Sequence, residues 1–132
     1  MLFLLKLRNE KDKNMIILLI LSSVLLNCGA QLLIRKGMLQ IGEMPVSSIF
    51  QNMGLLITNV WLWLAMLCYA ISILLWMSVL SKAEVSFAYP FLSVGYVLSA
   101  VLGYVFFSES ITVIRIAGIV VICIGVILIS RS

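Results

Sequence analysis

Ser23, Asn27 and Gln31 stand four residues apart, and Arg35 follows at the same interval. On an α-helix this spacing places all four on one narrow stripe. The stretch that carries the first three, Met15 to Ile34, is otherwise apolar. Polar groups in a hydrocarbon layer are costly, so the stripe must face protein, water or a ligand. Asn and Gln amides both donate and accept hydrogen bonds, as sugar hydroxyls require. An arginine at the end of the same stripe can pair bidentately with a phosphate. The same residues have a second reading. Span amides often hydrogen-bond to neighbouring helices, and a terminal arginine snorkels to headgroups. Spacing alone leaves both readings open.

Other chemistries are poorly served. The chain has no histidine. Glu43, Glu84 and Glu109 fall in expected connections, and the spans carry no carboxylate. A Ser-His-Asp or Cys-His constellation therefore cannot form, and no catalytic residue, metal ligand or cofactor is expected. Cys28, Cys68 and Cys123 sit in apolar stretches and read as small, reduced, buried residues. A proton-coupled exporter that works through a carboxylate in span one would lack its titrating group here. A hydrophobic cation would find no counter-charge beside Asn27 and Gln31.

The elements that must hold the stripe follow from composition. Of 132 residues, 64% are hydrophobic and 11% charged, far from the balance of a water-soluble domain. The mean hydropathy is +1.23. A span needs about 20 apolar residues, so the chain has room for four and little else. The expected fold is an all-α integral membrane protein. Its four spans lie at about 15–34, 60–80, 85–107 and 113–130, within a domain of residues 15–132. Residues 1–14 read as a charged tail with a short interfacial segment rather than a signal peptide. Arg35-Lys36-Gly37 reads as an interfacial basic pair followed by a helix stop. Residues 46–58 read as an interfacial helix or an early extension of span two. Trp61, Trp63 and Trp76 suit aromatic belts at the ends of span two, which reads as largely lipid-facing.

Span three combines two patterns. Gly95, Ser99 and Gly103 form a ladder of small residues that lets another helix approach closely. Tyr89, Ser93 and Tyr96 lie on a different face and could offer rings and hydroxyls to a sugar. Pro90 weakens the helix near its start. In span four, Gly118 and Gly125 stand one heptad apart and mark a packing surface within or between subunits. Basic residues are denser on the side of the termini, at Lys6, Arg8, Lys11, Lys13, Lys82 and Arg131, than at Arg35, Lys36 and Arg115. That bias places both termini in the cytoplasm. The net charge of +4 is scattered over span ends and does not point to nucleic acid.

The stretch Lys82 to Ser130 carries a polar turn, Ala88-Tyr89-Pro90, the turn Ser108-Glu109-Ser110 and the spaced Gly118 and Gly125. It resembles the C-terminal half of a drug/metabolite-transporter repeat. Gln31-Leu32 with Arg35, and Ala88-Tyr89-Pro90-Phe91-Leu92-Ser93, most resemble the small subunits of the aminoarabinose-phosphoundecaprenol flippase. Arg35 stands where lysine is expected, and neither residues 1–14 nor 37–59 have a recognised counterpart. The resemblance implies a bacterial inner-membrane carrier that moves an undecaprenyl-phosphate-linked sugar by alternating access. It implies half of an inverted-repeat-type dimeric transporter, either a homodimer or a heterodimer with a homologous four-span subunit. The glycine and serine strips are the candidate contacts for that assembly. On this reading Asn27 and Gln31 hold the sugar, Arg35 and Lys36 the phosphate, and Tyr89, Ser93 and Tyr96 the opposite wall. Glu84 and Glu109 read as turn or interface residues, and Glu84 could also attract an amino sugar at the groove mouth. Two competing functions are a small-molecule or multidrug exporter and a non-transporting membrane partner of a glycosyltransferase.

Overall fold

The computed structural model describes the backbone of residues 1–132 and the side chains outside residues 3–8. Helix α1 runs Leu2–Ile41, α2 Met53–Thr58 and α3 Val60–Leu80. A short helix α4, Val85–Ala88, passes through the 3-10 turn Tyr89–Phe91 into α5, Leu92–Phe107. The last helix, α6, is Val113–Arg131. Among the described residues, four helical segments are long and apolar enough to cross a membrane: Asn9–Ile41, Val60–Leu80, Val85–Phe107 and Val113–Arg131.

The first helix differs from the sequence expectation at both ends. Its 40 residues rise about 60 Å, roughly twice the hydrocarbon thickness. The charged N-terminal stretch is thus a continuation of the span, because no proline or glycine interrupts it. Gly37 does not stop the helix either. It is buried, and a Cβ there would lie 3.2 Å from both Asn59 and Leu62. Gly37 serves close approach of α3. The stop is Gly42, whose φ of 98° suits glycine and whose N–H returns to the Met38 carbonyl.

Asn59 then joins two tasks. Its Oδ1 accepts from the Trp61 N–H at 3.0 Å, capping α3. Its Nδ2 donates to the Gly37 carbonyl at 3.2 Å, tying α3 to α1. These helices make the most extensive contact in the fold. Ser23 and Ser72, both buried, each donate to the other's backbone carbonyl at 3.0 Å. Hydrogen bonds of this kind hold spans together where lipid removes the hydrophobic drive between helices.

The core is small and sits toward the end that carries the termini. Ile20 and Val24 of α1 meet Val79 of α3 and Ala88 and Phe91 around the Pro90 bend. The bend replaces one turn of α-helix by the 3-10 turn and seats Phe91 in that core. Helix α5 lies on α1 through Gly95, where a Cβ would come within 3.1 Å of Val24 Cγ1. Helix α6 packs on α5 and has no fully buried residue.

Candidate functional site

Between α1 and α5 runs a groove of about 430 Å³. Asn27, Cys28 and Gln31 line it from α1, and Gly95, Tyr96 and Ser99 from α5. Its size lies within the range of small-molecule sites, about 300–1,000 Å³. The four-residue spacing on α1 brings Asn27 and Gln31 to one wall. On α5 the same spacing brings Gly95 and Ser99 to the other, with Tyr96 beside them. Gly95 sets how closely the two helices approach, and Ser99 Oγ lies 3.3 Å from Cys28 Sγ.

The polar groups differ in how far they are occupied. Asn27 makes no side-chain hydrogen bond to the described residues and remains partly exposed to the groove. Gln31 donates through Nε2 to the Tyr69 hydroxyl of α3 at 2.5 Å. Its amide oxygen has no such partner among the described residues. Tyr96 is 68% exposed and presents its ring and hydroxyl at the same groove. The site is therefore neutral, rich in donors and acceptors, and without a carboxylate in either wall. It can hydrogen-bond a polyhydroxyl group, and an aromatic face is at hand for an apolar ring surface.

The structure brings together Asn27, Gln31 and Tyr96 of the residues expected to bind. It places the others elsewhere. Ser23 is consumed by Ser72 in the α1–α3 contact. Arg35 Nε lies 3.2 Å from Glu109 Oε1, bridging α1 to the α5–α6 connection. Lys36 stands with Nζ 3.9 Å from the Trp61 ring centroid. Tyr89 meets Trp76 edge-on, with ring centroids 6.3 Å apart. The Ser93 hydroxyl donates to the Pro90 carbonyl and stabilises the bend. Gly95 and Ser99 face α1 within the subunit, and Gly103 lies under Glu109. Gly118 and Gly125 have open space where a Cβ would stand.

Two residues escaped the sequence reading. Tyr69 orients Gln31, and Glu109 neutralises Arg35. The first had a signal, since a tyrosine inside an apolar span needs a hydroxyl partner. The second needed Ser108, whose left-handed φ of 52° turns the chain so that the Glu109 N–H bonds back to the Gly103 carbonyl.

Comparison with known proteins agrees with this membrane architecture. Curated relatives named as probable 4-amino-4-deoxy-L-arabinose-phosphoundecaprenol flippase subunits align over about half of the chain. That of Pseudomonas savastanoi pv. phaseolicola is 35% identical over 74 residues, 56% of this chain and 65% of its own length. That of Pseudomonas aeruginosa is 36% identical over 72 residues, 54% of this chain and 63% of its own. The Hamiltonella defensa protein is 35% identical over 75 residues, covering 57% and 68%. The chain thus spans less than two thirds of the length of the two Pseudomonas relatives. No solved structure matches. The model of the EamA-like transporter family matches residues 44–131, well over half of the sequence, and the chain belongs to that family.

Proposed function

We propose that this chain is a subunit of a bacterial inner-membrane flippase that translocates an undecaprenyl-phosphate-linked sugar by alternating access. The observation that carries the reading is the convergence of Asn27, Gln31, Tyr96 and Ser99 on one neutral groove between two spans. Neutral hydrogen-bonding groups suit a sugar. A hydrophobic cation would favour a carboxylate, which neither wall supplies. The names of the relatives support the class of substrate. The polyprenyl chain stays in lipid while the headgroup occupies the groove, and Arg35 takes the phosphate when its contact with Glu109 opens.

Two such grooves, one on each of two subunits, make a path that a single four-span chain is too small to enclose. The partner is a second copy or a homologous four-span subunit, in opposed orientation as in inverted-repeat transporters. The strip of α6 at Gly118 and Gly125, where a Cβ would meet nothing among the described residues, is the surface offered to it. Both termini lie in the cytoplasm, following the density of basic residues on their side.

Translocation of a labelled lipid-linked sugar in reconstituted vesicles tests the assignment, with the sister subunit added in a parallel arm. Asn27→Ala and Tyr96→Phe are expected to slow it while leaving the helical content intact. Unchanged rates in both variants of the active, correctly folded assembly would remove the groove as the headgroup path.

A further inference from the structure

A second and larger pocket, of about 660 Å³, opens at the other end of α1. The groove described above does not include it. Asp12 and Lys13 line it from α1, and Lys82 and Glu84 from the connection between α3 and α4. All four are exposed, and none is ion-paired with another described residue. Beneath them the lining is apolar. Ile16, Ala83 and Phe87 are half-buried and pack against the core of Ile20, Val79 and Phe91. Lys13 Nζ stands 5.8 Å from the Phe87 ring centroid.

Depth fixes what can reach this pocket. Lys13 immediately precedes the apolar stretch that begins at Met15, and Lys82 and Glu84 lie in the turn between two spans. The charges therefore stand at headgroup level, with apolar surface on the membrane side. Two lysines alone would favour any anionic lipid. Two carboxylates in the same lining cancel that preference and supply acceptors for a cation. A ligand that matches both signs carries a phosphate and a protonated amine a few bonds apart, on an apolar anchor.

We propose that this pocket binds the headgroup of a lipid that carries both a phosphate and a primary amine. Lys13 and Lys82 hold the phosphate, Asp12 and Glu84 hold the ammonium, and the anchor lies along Ile16 and Phe87. A phosphate and an amine occur together in ethanolamine phospholipids. They also occur together in an amino-sugar phosphate on a polyprenol. The chemistry is shared, and the binding does not depend on transport.

Native mass spectrometry of the full chain, released from micelles with defined short-chain lipids, reads the binding directly. Phosphatidylethanolamine is expected to be retained about tenfold better than phosphatidylglycerol, which lacks the amine, or phosphatidylcholine, whose quaternary ammonium has no N–H to donate. The paired variant Asp12→Asn with Glu84→Gln is expected to abolish that preference, and Lys13→Gln with Lys82→Gln to lower the retention of all three phospholipids. Circular dichroism checks that they remain helical. A parallel arm compares a synthetic polyprenyl phosphate with and without a 4-amino-4-deoxy-arabinosyl group. Preference for the amino sugar over phosphatidylethanolamine identifies the pocket as a docking point for a lipid-linked amino sugar, and the reverse identifies a bulk-lipid site. Equal retention of the three phospholipids by the unaltered protein, together with no preference for the polyprenyl phosphate that carries the amino sugar over the one that lacks it, overturns the proposal, whatever the variants do. So does an ethanolamine preference that survives Asp12→Asn with Glu84→Gln.

Discussion

Replacing Glu109 by Gln is expected to tighten phosphate binding, although it removes an ion pair. Arg35 and Glu109 face each other at 3.2 Å, but their side chains are 52% and 41% exposed. An exposed pair of this kind contributes about 0.2–1 kcal/mol after solvent screening. If a headgroup phosphate must displace Glu109 to reach Arg35, removing the competitor returns that energy to binding, about 1.4- to 5-fold in affinity. Arg35→Gln acts in the other direction. It deletes a charge-assisted hydrogen bond worth about 1.5–3 kcal/mol, or about ten- to 150-fold. Gly103→Ala is an independent route to the Glu109 effect, because its Cβ would lie 2.8 Å from Glu109 Oε2 and push the carboxylate aside. The assay is titration of a short-chain polyprenyl phosphate into the protein in nanodiscs at low and high salt. The gain from Glu109→Gln should shrink with salt as screening weakens the native pair. If Glu109→Gln and Arg35→Gln shift affinity in the same direction, Arg35 is a structural residue and the competition does not exist.

Four further outcomes follow from the geometry. Ser23→Ala and Ser72→Ala each remove one hydrogen bond to the other residue's backbone carbonyl and should each cost about 0.5–1.5 kcal/mol, read by unfolding in mixed micelles. Gly95→Ala should destabilise the subunit by about 1–3 kcal/mol, because the new Cβ meets buried Val24 at 3.1 Å. Gly118→Ala and Gly125→Ala meet nothing within the chain and should leave monomer stability unchanged while weakening assembly, as seen by crosslinking between subunits. Lys36→Gln should cost about 0.5–1 kcal/mol through loss of the contact with Trp61, measured by the same unfolding.

The four-helix membrane architecture was legible from apolar run length, because a span can satisfy its backbone only as a helix. The stripe at Asn27 and Gln31 was legible from a period of four. Its two ends were not. Ser23 and Arg35 share the stripe, but their surroundings are fixed by α3 and by the α5–α6 turn, which spacing on α1 does not encode. Tyr89 and Tyr96 show the same limit from the other helix. Seven residues apart, they share a face of an ideal helix, yet Tyr89 opens the 3-10 turn around Pro90 and Tyr96 stands in the α-helix beyond it. Tyr89 meets Trp76 of α3 while Tyr96 turns to the groove. Gly37 was misjudged as a stop because glycine serves both termination and close approach, and only the position of Asn59 and Leu62 distinguishes the two.

The Ser23–Ser72 clasp has a consequence for motion. Together with Gln31–Tyr69, Asn59–Gly37 and Lys36–Trp61, it stitches α1 to α3 at three depths along their length. Across the groove, α1 and α5 share among the described residues only the soft Cys28–Ser99 contact as a side-chain hydrogen bond, with Gly95 as a smooth bearing. Stiffness is thus divided unequally: α1 and α3 form a plank, and α5 is the wall that can slide. A cycle that widens the groove would spend its motion on α5 and carry Asn27 and Gln31 unmoved, so a headgroup held as proposed would keep half of its hydrogen-bond partners throughout.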